Sequence, residues 1–250
     1  MKKKVENTWK QIWDENKNDI PSTNSMALEI GNDILKWIDN LEERSSLEVG
    51  SGTGIISALL VSYGFKVTLL DISETAIKIS KNVFIKNKIN GDFILGDLFN
   101  MPFENNTFDL VWNAGVLEHF EGQEQIAALR EMARVTKPGG MLITYNPYYR
   151  AIFYRIGKWR AERFGKWEFG PEIPVKSLKN KGNLAGLVFI KEYPICAKEQ
   201  LGFLDRYIFK GMGKIIRYTT GWVPEQFWMQ LFGGYLLVSV FRKLEKVTLR

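Results

Sequence analysis

The sequence predicts an α/β fold, a mostly parallel sheet with helices on both faces. Three observations predict it. Short apolar runs alternate with amphipathic stretches over residues 45–147, the pattern of strands joined by crossover helices. A glycine-rich turn, Gly50-Ser51-Gly52-Thr53-Gly54, separates the first of these strands from the first of these helices. The strand ends collect glycine and polar residues: Gly50, Asp71, Asp97 and Asn113. Right-handed crossovers put helices on both faces of such a sheet, and ligands bind beyond the carboxyl ends of its strands.

In chain order, residues 5–17 read as a helix with Trp9 and Trp13 one turn apart, broken by Pro21 and Ser22-Thr23-Asn24-Ser25. Residues 24–40 read as a second helix, with Met26, Ile30, Ile34, Trp37 and Ile38 on one side. Arg44-Ser45-Ser46 reads as a turn, Leu47–Val49 as a strand and Ile55–Tyr63 as a helix closed by Gly64. Phe65–Leu70 is the next strand, 74–89 a helix, Phe93–Leu95 a short strand, and Asp109–Trp112 a fourth. Residues 122–135 form a helix that Lys137-Pro138-Gly139-Gly140 closes, before a strand from Met141 to Tyr145. Beyond 147 the alternation blurs. Residues 175–186 read as a helix, Leu187–Tyr193 as a strand, 199–218 as helical and Tyr235–Arg242 as a last strand.

Composition narrows the function classes. With 45% apolar and 25% charged residues among 250, the chain has an ordinary globular make-up. Cys196 is the only cysteine and His119 the only histidine, so neither a disulfide framework nor a Cys/His zinc site is available, and no metal is expected. No run approaches the ~18 apolar residues of a membrane span; the longest, Leu231–Phe241, has 11 and includes two glycines and a serine. Met1-Lys2-Lys3-Lys4 is followed by the polar run Val5–Lys10 rather than an apolar one, which argues against a signal peptide and for a cytoplasmic protein. The net charge of +6 hides an asymmetry. Residues 1–147 carry 15 basic and 20 acidic side chains, residues 148–250 carry 19 and 8, and the second part holds 20 of the 33 aromatic residues. The two parts therefore face different partners.

The glycine-rich turn fits neither familiar nucleotide loop. Counted from Gly50, the sixth position is Ile55; counted from Gly52, it is Ser57, so the dinucleotide fingerprint fails, and no Gly-Lys-Ser/Thr follows. What stands is Glu48 two residues before the first glycine. Asp71, 21 residues after Gly50, can accept both hydroxyls of a ribose. Asp97 can accept from the exocyclic amine of an adenine. Glu48 can hold an ammonium group. A cationic nucleoside suits this set better than a pyrophosphate, and S-adenosylmethionine (SAM) is one. Plainer roles stay open: a tight turn for the glycines, a helix cap for Asp71, a turn for Asp97 and Asn113.

At these residues the chain resembles class I SAM-dependent methyltransferases. Leu47-Glu48-Val49-Gly50-Ser51-Gly52-Thr53-Gly54 resembles their first motif, Leu70-Asp71-Ile72-Ser73 the second, and Gly96-Asp97-Leu98 the third. Phe108 to His119 resembles the fourth and Arg134 to Leu142 the loop before the fifth strand. The Val116-Leu117-Glu118-His119 variant resembles the branch acting on small molecules, quinones and lipids. The resemblance implies a Rossmann-like, mostly parallel seven-stranded sheet with an antiparallel last strand. It also implies a SAM pocket lined by Glu48, Gly50, Gly52, Asp71, Ile72, Asp97, Leu98 and Asn113. The expected organisation is a helical cover over 1–44, a SAM-binding core over 45–147, and acceptor-side insertions with the last strands over 148–250.

His119 and Glu118 follow the fourth strand, where the reacting group would lie. His119 can act as a general base, line the pocket or do neither, since methyl transfer is one in-line displacement that needs orientation and desolvation first. Glu118 leans to a structural role. Trp9, Trp13, Tyr148 and Tyr149 are the candidates for an acceptor pocket. Asn146-Pro147-Tyr148-Tyr149 follows the fifth strand rather than the fourth, so it is no sign of base methylation.

Two later segments are both basic and aromatic. Over 148–160, Ile152, Phe153, Ile156 and Trp159 share a face, with Arg150, Arg155 and Lys158 mostly off it. Over 203–218, Leu204, Tyr207, Ile208, Met212 and Ile215 face one way, and Arg206, Lys210, Lys214 and Arg217 another. Gly211 and Gly213 interrupt the second segment. Such segments serve as lids with solvated basic faces, or rest on an anionic membrane surface. The expected function is methyl transfer from SAM to a small-molecule or lipid-like acceptor, with peripheral membrane contact a second expectation. A non-catalytic SAM-binding protein and an RNA methyltransferase are the alternatives; nucleic acid is disfavoured because no RNA-binding motif is present.

Overall fold

The computed structural model describes residues 2–15, 24–38 and 44–244. Seven strands form one sheet in the order β3-β2-β1-β4-β5-β7-β6. They are β1 (Ser45–Val49), β2 (Lys66–Asp71), β3 (Asp92–Leu95), β4 (Phe108–Ala114), β5 (Thr136–Pro147), β6 (Leu187–Ile195) and β7 (Leu236–Lys243). β1 to β5 run parallel, and β7 runs antiparallel to both β5 and β6. The order reverses at β1, between β2 and β4, so the crevice at the strand ends opens where the glycine-rich turn leaves β1.

Alternation along the strands builds two cores. On β4, Val111 joins Leu47, Val49, Leu129, Met132 and Leu142 on one face of the sheet. Leu110 and Trp112 join Ile30, Ile34, Leu60, Leu69 and Ile143 on the other. Both faces are covered, which is why the central strands are apolar throughout.

Helices α1 (Lys2–Glu15), α2 (Ser25–Leu35), α3 (Ile55–Val61), α4 (Glu74–Asn87) and α5 (Gly122–Val135) precede β5. The Asn24 side chain caps α2 by accepting from the Ala27 amide at 2.8 Å. Ser73 caps α4 through the Ala76 amide, so the helix-cap role left open for Asp71 falls to Ser73. Beyond β5 come α6 (Ile152–Arg163), α7 (Lys179–Leu184), α8 (Leu201–Tyr207), α9 (Met212–Thr219) and α10 (Glu225–Phe232).

Five elements differ from expectation. The turn read at Arg44-Ser45-Ser46 is already strand from Ser45, which pairs with Lys66. β5 begins at Thr136, which pairs with Phe108, so Lys137-Pro138-Gly139-Gly140 lies inside the strand as a register shift rather than in a loop. The helix expected over 199–218 is two helices, parted where Gly211 takes φ +87°. α6 buries Tyr154, Gly157, Lys158 and Ala161, leaving Ile152, Ile156 and Trp159 on the exposed side, the reverse of an apolar face packed on the domain. α10 had no periodic signal; Trp228 anchors it against Ala197, Leu201 and Leu204. The expected ends at residues 16–17 and 39–40, and the break at Pro21-Ser22-Thr23, lie outside the described residues. Among the described residues no helix is long and apolar enough to cross a membrane.

Candidate cofactor and acceptor site

A cavity of about 480 Å³ opens at the carboxyl ends of β1 to β4, within the range of small-molecule sites. Its floor is the glycine-rich turn. Gly50, Gly52 and Gly54 take φ of +69°, +51° and +68°, a region that side chains with a Cβ rarely enter. A Cβ on Gly52 would lie 2.8 Å from Cζ2 of Trp13, and one on Gly50 would lie 2.5 Å from Cγ2 of Val116. The turn is therefore both left-handed and closely covered.

Three strand-end acids surround it. Glu48 is buried, and its Oε2 accepts from Ser57 Oγ of α3 at 2.5 Å. Burial pushes its carboxyl up to about 8, and the charge of Asp71 adds to that against the Ser57 hydrogen bond. Asp71 accepts from the amides of Gly52 and Ser73, each at 2.9 Å. Burial raises its carboxyl too, while those two amides oppose the rise. Asp97 accepts from the Phe99 amide at 2.9 Å. Ser51 Oγ is buried without a hydrogen-bond partner beside them. A glycine cradle, three acids and an unmet hydroxyl fit a ligand with a cationic amino-acid end and ribose hydroxyls, as SAM has. Glu48, Asp71 and Asp97 would hold it, with Ile72 and Leu98 lining the same cavity.

The far side of the cavity is aromatic. Trp9 stacks on Trp13 at 6.1 Å and meets the His119 ring edge-on at 5.3 Å. Trp167, Phe169, Phe120 and Tyr235 complete the wall. Trp9 and Trp13 thus reach the cavity from α1. Tyr148 and Tyr149 do not line it. Tyr148 packs into the core, its amide donating to the Tyr235 carbonyl at 2.7 Å. Tyr149 turns outward between Arg155 and Lys176. Asn113 is corrected as well: strand alternation points its side chain at α5, where its amide meets Met132 Sδ at 3.8 Å. Ala114, Gly115 and Val116 take its place in the wall.

Glu118 and His119 sit on a 3-10 turn, Leu117–His119, at the cavity edge. His119 Nδ1 lies 2.7 Å from the Pro171 carbonyl oxygen. Burial lowers its pKa, so the ring is neutral near pH 7 and Nδ1–H donates to that carbonyl. The Ile173 amide donates to the Glu118 carbonyl at 2.8 Å. These two bonds tie the segment that carries Glu172 to the turn that carries Glu118. Glu172 accepts from Tyr154 Oη at 2.7 Å. Glu118 Oε2 is buried with no hydrogen-bond partner. Sequence reasoning missed Glu172, Tyr154, Trp167 and Tyr235, which fall where the alternation blurs; the one local signal is an acid set between Pro171 and Pro174 in a basic stretch. Among the described residues no group of three His, Cys, Asp or Glu side chains could hold a metal ion.

Comparison with known proteins agrees with this geometry. Residues 47–144 match the family model described as a methyltransferase domain. An uncharacterized methyltransferase of Schizosaccharomyces pombe is 40% identical over 117 residues, covering 43% of this chain and 40% of that protein. A ubiquinone biosynthesis O-methyltransferase of Coxiella burnetii is 30% identical over 127 residues, covering 49% and 53%. The chain thus spans about half or less of the length of these relatives. The solved structure of Haemonchus contortus phosphoethanolamine N-methyltransferase 2 with S-adenosyl-L-methionine shares the fold, with a TM-score of 0.60 at 16% identity, covering 86% of this chain and 52% of that one. Residues 47–144 thus match a methyltransferase domain, and the chain shares the fold of a solved methyltransferase that holds S-adenosyl-L-methionine.

Proposed function

We propose that the whole chain transfers a methyl group from SAM to a small-molecule or lipid-like acceptor by in-line displacement. The observation that carries this reading is one cavity with two unlike lobes. A glycine-rich turn ringed by Glu48, Asp71 and Asp97 forms one, and an aromatic wall with Glu118, His119 and Glu172 forms the other. When bound, SAM supplies an electrophilic methyl group on a sulfonium. The chain's own part is to orient the acceptor, exclude water and take up a proton. An apolar wall favours this chemistry because a charge-dispersing displacement is faster where water is absent. His119, held by Pro171, is placed to position the Glu172 segment rather than to take the proton.

The exposed apolar side chains beyond β5 support peripheral contact with an anionic membrane, from which a lipid-like acceptor would be drawn. Trp159 of α6, Ile215 and Tyr218 of α9, and Trp222 after it are 61%, 65%, 91% and 83% exposed. Arg155, Arg160, Lys210 and Lys214 accompany them along the chain. Aromatic and basic side chains together suit a headgroup interface.

Two experiments test the two parts. The purified protein is incubated with methyl-labelled SAM and a fractionated cell extract, and label is counted in lipid, polar, RNA and protein fractions, with Asp71→Ala as control. Label in the organic or small polar fraction supports the reading. Label in RNA would overturn the acceptor class, and label in no fraction would leave a binding protein instead of an enzyme. Sedimentation with anionic against neutral vesicles separately decides the membrane contact.

A further inference from the structure

The protein carries a net charge of +6, yet among the described residues no Lys or Arg lines the cavity, while Glu6, Glu48, Asp71, Asp97, Glu118 and Glu172 all do. The methyltransferase reading uses three of these acids for the cofactor. Glu6 pairs with Lys10 on α1, which leaves Glu118 and Glu172 without a task. Both side chains are buried, at 2% and 8% exposure, and they lie on different segments brought together by the turn after β4. Burial raises the carboxyl of Glu118, and the neighbouring Glu172 raises it further. Burial likewise pushes Glu172 up to about 7, against a hydrogen bond from Tyr154 and the charge of Lys158. The other titratable groups facing the pair give no full counter-charge. His119 is neutral, Tyr154 and Tyr235 are held protonated by burial, and Lys158 is paired to Glu162 and lies over the Trp167 ring.

We propose that Glu118 and Glu172 form an ammonium-binding subsite, so that the acceptor is an organic amine bound as its cation. The proposal rests on the methyltransferase reading of the same cavity. The unpartnered Glu118 Oε2, 98% buried by residue, is the second observation that the acids answer a ligand and not each other. Aromatic faces supply the rest of a cation site: Trp9, Trp13, Trp167 and Tyr235 wall the same lobe. An anionic acceptor group would meet only like charge. A neutral hydroxyl would satisfy one oxygen and leave the second charge unbalanced. A cation offsets one of the ionised pair's two charges and lowers the acids' pKa values toward their ordinary range. The same pair then takes the proton the reaction releases. The ammonium gives one N–H proton to a carboxylate of the pair. The freed nitrogen lone pair forms the new C–N bond as the C–S bond breaks, and both electrons of that bond stay on sulfur. The products are the methylated ammonium and neutral S-adenosylhomocysteine.

Calorimetric titration tests this with three probes of one shape, phenethylamine, 4-ethylphenol and 3-phenylpropionate, on protein saturated with S-adenosylhomocysteine. Phenethylamine is expected to bind about tenfold or more tightly than the other two. Its binding should release protons at pH 6.5, read from heats in two buffers of different ionisation enthalpy, and fewer at pH 9, where Glu172, pushed up to about 7, is already ionised. Glu118→Gln and Glu172→Gln should each weaken the amine about tenfold while the affinity for S-adenosylhomocysteine holds. Equal affinity for 4-ethylphenol, no binding of the amine, or Gln variants that bind it like the native protein would overturn the proposal. The proton count needs no variant, so a misfolded mutant does not blunt the test. Repeating the amine titration without S-adenosylhomocysteine separates the two readings, because loss of cofactor binding alone sinks the methyltransferase assignment and leaves the ammonium site to be judged on its own titration.

Discussion

Ser57 Oγ donates to Glu48 Oε2 across 2.5 Å, joining the third residue of α3 to the end of β1 behind the glycine-rich turn. That bond gives a buried carboxyl a side-chain donor, and it fixes how the turn can sit between strand and helix.

Stability should fall with rising pH on account of Glu48. Burial pushes its folded carboxyl up to about 8, well above the ordinary carboxylate range. A group whose folded pKa is raised stabilises the fold fully below the unfolded value and loses that contribution as pH rises through the folded one. Denaturant unfolding between pH 5 and pH 9 should show a loss on the order of 1–3 kcal/mol, and Glu48→Gln should flatten that part of the curve. An unchanged slope in the variant would assign the dependence to Glu118 and Glu172 instead.

Gly52→Ala should cost stability and cofactor affinity together. The new methyl meets Trp13 at 2.8 Å and the backbone must hold φ +51°. About 1–2 kcal/mol for the strained backbone is expected. Adding Trp13→Ala removes the collision but not the strain, so the double variant should recover only part of the loss in a thermal melt.

Asp71→Asn should loosen the turn. The carboxylate accepts from Gly52 on one oxygen and Ser73 on the other, and an amide nitrogen can accept from neither. Loss of one such bond at a buried site is worth about 1–3 kcal/mol, so S-adenosylhomocysteine should bind about tenfold or more weakly by calorimetry. A full-strength titration would remove Asp71 from the cofactor site.

His119→Ala should act on the acceptor side alone. It frees the Pro171 carbonyl that the ring holds and so loosens the Glu172 segment. The acceptor KM should rise while the affinity for S-adenosylhomocysteine holds, and the acid limb of the rate profile should persist. Its disappearance would show that His119 itself titrates in the reaction.

The first half of the chain was legible because its signals are local. The turn Gly50–Gly54 and the acids Glu48, Asp71 and Asp97 each mark a strand end by short-range sequence, and the acids and residues Gly50 to Thr53 line the cavity. Asn113 misled because a residue at a strand end points to one face or the other by alternation, and the count places it toward Met132. Tyr148 and Tyr149 misled because aromatic composition carries no direction. The acceptor wall was legible only in part: Trp9, Trp13, Glu118 and His119 line the cavity, while Glu172, Trp167, Phe169 and Tyr235, which line it too, were missed. Glu172 reaches Glu118 only through the folded path of residues 148–175, held by bonds such as Ile173 to Glu118 and Val175 to Pro147. No periodicity encodes that path.

The place of β7 has a consequence for how the chain is made. β7 fills the gap between β5 and β6, yet its residues, 236–243, emerge from the ribosome about fifty residues after β6 has been completed. Until then β5 presents an open edge of apolar strand and β6 has no neighbour. Unpaired edges of that kind are where nascent chains pair with the wrong partner. The nascent protein therefore passes through a window in which the cofactor lobe has all its strands but the sheet is not closed, and an early cofactor encounter would stabilise that half before the acceptor half exists.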